Sequence, residues 1–171
     1  MKLIVDAMGG DNAPLEILKG CELAVKEYGY EILLTGKSEI IKSCAAENSI
    51  SLAGMDIVDA PQVIAMEDHP DCIMKAKNDS SMAEGLRRLA AGEGDAFVTA
   101  GSTGAAVIGS TFIVKRIKGI KRAALATILP NDNGGPFLVL YDAHGYENIH
   151  TNCLKLLAYA KEHHLKLDYY F

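Results

Sequence analysis

Paired cysteines, long hydrophobic runs and an excess of positive charge are all missing from this sequence, and each absence removes a class of protein. Cys21, Cys44, Cys72 and Cys153 are widely spaced and form no CxxC pair, so they read as reduced thiols, mostly buried, rather than as a disulfide framework or a zinc site. The most apolar helix-like run, residues 103–114, is ended by Lys115 and Arg116, well short of the roughly 20 residues that cross a bilayer. The start has no basic segment leading into a long apolar stretch, so a signal peptide is not expected and the chain reads as soluble and cytoplasmic. A net charge of −5 argues against a nucleic-acid partner. Neither GxxxxGK[ST] nor GxGxxG occurs, which disfavours a P-loop or a dinucleotide fold. Internal repeats and low-complexity segments are absent too.

What is present is a succession of short apolar runs. "LIVDAM" (3–8), "EILLTG" (31–36), "MDIVDA" (55–60), "DAFVTAG" (95–101), "AALATILP" (123–130) and "FLVLYDA" (137–143) lack the polar alternation of half-exposed strands, and so predict strands covered on both faces of a parallel sheet. Amphipathic stretches fall between them. Residues 14–28 carry Leu15, Leu18, Cys21, Leu23 and Val25 as apolar positions, with charges on the remaining face, and stop at Gly29. Further helices are expected over 38–47, 80–91, 103–117 and 149–165, the second of these capped by its paired serines. Alternating strands and helices predict a three-layer α/β/α fold with a mostly parallel sheet and right-handed crossovers. Residues 61–79 and 130–136 are expected to be irregular, the first long enough to serve as a binding element.

Three loops carry chemistry. In open α/β sheets ligands bind beyond the carboxyl ends of the strands. "DAMGGDNAP" (6–14) puts Asp6, Gly9, Gly10, Asp11 and Asn12 between a first strand and the helix that starts at Pro14. "TAGSTGA" (99–105) offers Gly101, Ser102, Thr103 and Gly104, small residues and hydroxyls at a helix start, which suit an anion. "KAKNDSSM" (75–82) sets Lys75 and Lys77 before Ser80 and Ser81, point charges beside hydroxyl and amide donors. Each has a plainer reading: a packing turn, an N-cap, a solvated lysine face. "GSTGA" as a nucleophile elbow has the wrong spacing. "EDH" (67–69) and "DAH" (142–144) supply no spaced metal-ligand set, and His163 and His164 read as surface residues.

"VDAMGGDNAP", "KNDSSM", "TAGSTGA" and "RIKGIKRAALATILP" (116–130), in this order over residues 1–142, resemble the PlsX family of bacterial phosphate acyltransferases. The resemblance implies an isocitrate dehydrogenase/phosphotransacetylase-like fold, incomplete here because members are about twice as long, with residues 143–171 a divergent helical segment. It implies reversible transfer of a fatty acyl group from acyl carrier protein to inorganic phosphate, giving an acyl phosphate that a membrane acyltransferase uses for phospholipid synthesis. It further implies a homodimer with no metal or organic cofactor, working peripherally at the inner face of the membrane. Within that chemistry Lys77, Ser102 and Asp6 are the expected catalytic residues. Ser80, Ser81, Gly101, Thr103, Gly104 and Lys75 would bind phosphate and the oxyanion, while Asp11 and Asn12 shape the first loop and Gly9 and Gly10 permit close approach.

The sequence departs from the family at three places. Lys75 and Ser102 stand where arginine and asparagine are usual, and "YDAHGYEN" (141–148) replaces a "DxGAN" strand end. Two alternatives therefore accompany the first reading: an inactive anion- or carrier-protein-binding paralogue, and a phosphotransacetylase-like enzyme using acyl-CoA.

Overall fold

The computed structural model describes residues 1–118 and the backbone of 124–130 and 136–142; the expected 149–165 helix, His144, His163, His164, Cys153 and the rest of 143–171 lie outside the described residues. The chain divides into two compact units, Met1–Lys115 and Arg116–Phe171. In the first unit the elements run β1 (Lys2–Asp6), α1 (Leu15–Tyr28), β2 (Glu31–Gly36), α2 (Ser38–Glu47), β3 (Met55–Asp59), a short 3-10 turn (Pro70–Met74), α3 (Ser81–Ala90), β4 (Ala96–Val98) and α4 (Thr103–Gly109).

The four strands form one sheet in the order β3-β2-β1-β4, all parallel. The pleat sorts their side chains. Leu3, Val5, Ile32 and Leu34 pack with Leu18 and Cys21 of α1 and Ile41 and Ala45 of α2. Opposite them in register, Ile4 pairs with Leu33 and Asp6 with Thr35, and Thr35 bonds the start of α3. A second core of Ile64, Ile73, Met82, Ala83, Leu86 and Ala105 lies under α3 and α4. Both faces of the sheet are therefore covered, as the unbroken apolar strands require. Fully burying a Leu or Ile contributes roughly 1.5–3 kcal/mol each, so these two clusters outweigh any surface pairing.

β1 feeds β2 and then β3 on one side; the chain next returns to place β4 on the other side of β1. The carboxyl ends of β1 and β4 thus flank a topological switch point, where loops leave in opposite directions and open a crevice. Both Gly-rich loops start there.

In the second unit, β5 (Ala124–Pro130) and β6 (Pro136–Asp142) pair antiparallel, from Ala124 opposite Asp142 to Pro130 opposite Pro136. These two runs were expected in the parallel sheet. Only 131–135 separate them, and a parallel crossover needs a dozen or more residues, whereas a hairpin does not.

Candidate functional site

The first loop is built around a buried carboxylate. Asp6 ends β1 at 2% exposure, and none of the ion pairs among the described residues includes it. Its Oδ1 accepts the Met8 N–H at 3.1 Å and its Oδ2 accepts the Thr99 hydroxyl at 2.9 Å. Thr99 Oγ1 in turn accepts the Gly101 N–H at 3.0 Å. Gly9 lies directly over this group: a Cβ there would sit 2.7 Å from Asp6 Oδ2, 2.7 Å from Thr99 Oγ1 and 2.9 Å from the Gly101 nitrogen. Gly10, at φ +109, turns the chain beside Ala100, whose Cβ would be 3.2 Å from an added Cβ; such a φ favours glycine. Asp11 and Asn12 are exposed, and Asn12 contributes its carbonyl to the first turn of α1, accepting Glu16 N–H at 3.2 Å.

Gly101 is where three segments meet. A Cβ there would lie 3.2 Å from Met82 Cε in α3 and 3.3 Å from Gly9 Cα. At the next turn a Cβ on Gly104 would lie 2.8 Å from Pro70 Cγ, at the head of the 3-10 turn. The structure thus brings Asp6, Gly9, Gly10, Gly101 and Gly104 together with the start of α3.

The serines act first as caps. Ser80 Oγ accepts Ala83 N–H at 3.3 Å and Ser102 Oγ accepts Ala105 N–H at 3.4 Å, each closing the first turn of its helix. Ser80 and Ser81 are 0% and 1% exposed. The Ser81 N–H reaches Gln62 O at 3.0 Å and its carbonyl accepts the Thr35 hydroxyl at 2.8 Å. Thr103 is exposed, and among the described residues the amides of Thr103 and Gly104 donate to no acceptor. The Gly101 amide, expected among the anion donors, is engaged by Thr99 instead.

The lysines are engaged as well. Lys77 Nζ donates to Val63 O at 2.8 Å and forms an ion pair with Asp68. Lys75 pairs with Asp71, whose other oxygen lies 2.6 Å from His69 Nδ1. The Lys77 ammonium, followed by the Ala65 N–H, holds the Asp68 carboxyl below its ordinary range. Lys75, followed by His69, does the same for Asp71, and Asp71 raises Lys75 in return. An anion at these lysines must therefore compete with carboxylates already in place. The metal-ligand reading of "EDH" (67–69) misses this pairing, and Asp71 lies outside that motif: Asp68 and Asp71 precede Lys77 and Lys75 by nine and four residues. That spacing was the signal. Thr99 was the other omission, a hydroxyl inside the quoted "TAGSTGA" that only its contact with Asp6 singles out.

On the α1 side of the sheet a groove of about 270 Å³ is lined by the apolar Val5, Ile17, Ala24 and Val98 and by the polar Asp6, Glu16 and Thr99. Cys21 also lines it, and burial pushes that thiol up to about 11, which keeps it protonated and unreactive at neutral pH. No group of three or more His, Cys, Asp and Glu side chains that could hold a metal is found among the described residues, and none of their helices is long and apolar enough to cross a membrane.

Residues 1–163 match the family described as "Fatty acid synthesis protein". Phosphate acyltransferase of Pelotomaculum thermopropionicum is 46% identical over 145 residues, covering 84% of this chain and 41% of that one. The phosphate acyltransferase of Thermotoga neapolitana is 46% identical over 143 residues, 84% of this chain and 40% of its own. That of Desulforudis audaxviator is 42% identical over 139 residues, 81% of this chain and 40% of its own. The chain spans about two fifths of the length of these curated relatives.

Proposed function

The chain belongs to the fatty acid synthesis protein family, and from that premise we propose that it carries the phosphate-binding part of an acyltransferase that joins a fatty acyl group to inorganic phosphate. The donor is an acyl thioester of acyl carrier protein and the product an acyl phosphate for phospholipid synthesis. A phosphate oxygen attacks the thioester carbonyl; the C–S bond breaks, the thiol leaves with a proton, and the new C–O–P linkage forms. Such a reaction asks the protein to hold a dianion, align it and stabilise a tetrahedral oxyanion.

The observation that carries this reading is the meeting at Gly101 of the β1 loop, the β4 loop and the start of α3, at the switch point of the sheet. Thr103 and Gly104 offer amides without acceptors among the described residues, and in this reading the hydroxyls of Ser102, Ser81 and Ser80 join them. Lys77 and Lys75 supply charge once phosphate displaces Asp68 and Asp71. Asp6, Asp11, Asn12, Gly9 and Gly10 form the floor. In this reading the alkyl chain lies in the mostly apolar groove, which shares Asp6, Thr99 and Ala100 with the β1 and β4 loops. A homodimer, handing its product to a membrane acyltransferase at the inner face of the membrane, completes the reading.

A second reading, a phosphate-binding module without turnover, is favoured by the departure of "YDAHGYEN" (141–148) from the family's strand end. Transfer of radiolabelled phosphate into acyl phosphate separates the possibilities, using acyl carrier protein and CoA thioesters as donors. Product from the carrier-protein donor, lost in Lys77→Ala and Ser102→Ala, supports the first reading, whereas unchanged kinetics in both variants overturns the site. Product from CoA alone marks a phosphotransacetylase-like enzyme. No product with either donor, alongside measurable phosphate binding, marks the binding module.

A further inference from the structure

Asp6 poses a problem that the reading above leaves open. A carboxylate at 2% exposure, with no cation partner among the described residues, is costly unless its oxygens are satisfied, and its negative charge is of the wrong sign to face phosphate. Its side chain has two donors, the Met8 amide and the Thr99 hydroxyl. A threonine hydroxyl has one proton. With that proton donated to Asp6 Oδ2, Thr99 Oγ1 can only accept, and what it accepts is the Gly101 N–H at 3.0 Å. Donation to a carboxylate also polarises the hydroxyl and makes its oxygen a better acceptor. The direction of the chain Asp6, Thr99, Gly101 is thereby fixed.

We propose that Thr99 is a positioning residue of the phosphate loop: its hydroxyl transmits the hold of the buried Asp6 carboxylate to the Gly101 amide and so locks the 99–104 turn against Gly9 and Met82. This rests on the reading that the turn takes phosphate. The lock has a geometric counterpart in Gly9, where no side chain fits between the three partners. It explains why an acid can stand at this crevice: the charge faces a hydroxyl and an amide of the protein instead of the ligand. It also assigns Gly101 a structural amide and leaves the anion to the amides beyond it.

The test follows amide exchange residue by residue in the full nitrogen-labelled chain and titrates it with inorganic phosphate. In the unaltered chain the Gly101 amide should exchange more slowly than those of Thr103 and Gly104. Thr99→Val, which keeps the shape and removes the hydroxyl, should speed Gly101 exchange and weaken phosphate binding about tenfold each; Thr99→Ser, which keeps the hydroxyl, should hold both within about twofold. Three results would overturn the role of Thr99: Gly101 exchanging as fast as Thr103 in the unaltered chain, valine leaving exchange and affinity unchanged, or serine losing as much as valine. The first needs no variant to fold. If phosphate does not bind the unaltered chain while Gly101 is still protected and still released by valine, the phosphate reading falls and takes the functional half of the proposal with it, which distinguishes that failure from failure of the hydroxyl relay.

Discussion

The β1–β4 junction and the 61–80 segment both border the candidate site, yet they are held by opposite means. At the junction, Asp6, Gly9, Thr99 and Gly101 touch at contact distance around a carboxylate without a cation among the described residues. In the lysine segment, Asp68, Asp71, Lys75 and Lys77 form ion pairs whose side chains are a quarter to two thirds exposed or more. Close packing leaves no freedom and tolerates no extra atom. Exposed ion pairs are worth little and exchange partners at small cost. The contrast teaches that the glycines and hydroxyls of the junction are fixed by close packing, while the lysines of the 61–80 segment are held only by ion pairs with nearby carboxylates.

The most severe way to break the comparison is Gly9→Ala. Three atoms, one of them backbone, would stand closer than 3.0 Å to the new Cβ, so a loss of about 3 kcal/mol in chemical denaturation is expected. Gly29→Ala is the control: nothing lies within 4 Å of its Cβ and only its left-handed φ of +65 opposes the change, for a loss of about 1 kcal/mol. Equal losses at the two glycines would show that the junction is not tightly packed.

Thr35→Val probes how firmly the sheet holds the start of α3. It removes the hydroxyl that donates to Ser81 O at 2.8 Å from a site of 0% exposure, and losing that buried bond should cost about 1 kcal/mol of unfolding free energy. A neutral result would mean that the Thr35 hydroxyl does not hold the α3 start, leaving that to the Ser81 N–H bond to Gln62 O and to packing.

The smallest effect is expected in the lysine segment. Lys77→Met should leave the thermal midpoint nearly unchanged while amide exchange over 61–80 accelerates locally. Acid should do the same. Asp68 and Asp71 have folded values lowered from the ordinary 3.8, so the unfolded chain binds their protons first. Their contribution is complete above that ordinary value and is lost as pH falls through 3.8 and below. Protection of the segment that is flat from neutral pH down to acid would contradict the ion pairs.

Much of the fold could be read from the sequence because its signals were local. Unbroken apolar runs gave β1, β2 and β3, and Gly29 and Ser80 ended and began their helices as expected. The failures have long-range or side-chain causes. β4 stops at Val98 because Thr99 turns away to Asp6, 93 residues back in the chain. α4 ends at Gly109 instead of 117: Thr111 Oγ1 bonds back to Val107 O at 2.7 Å and the chain passes through a π turn, Ser110–Val114, to Lys115 at φ +77. A threonine bonded to the preceding turn bends a helix in this way. At the site, the glycines marked the crevice through their spacing, but the engagement of Gly101 and of both lysines depended on partners that periodicity does not reveal.

The most direct measurement is a map of amide shifts as inorganic phosphate is titrated into the full chain. A phosphate site at the Gly101 junction predicts that the largest, saturating shifts fall on Gly10, Met82, Thr103 and Gly104 together. Shifts confined to exposed lysines away from the crevice, such as Lys19, Lys26 and Lys42, or no saturable shift, would contradict it.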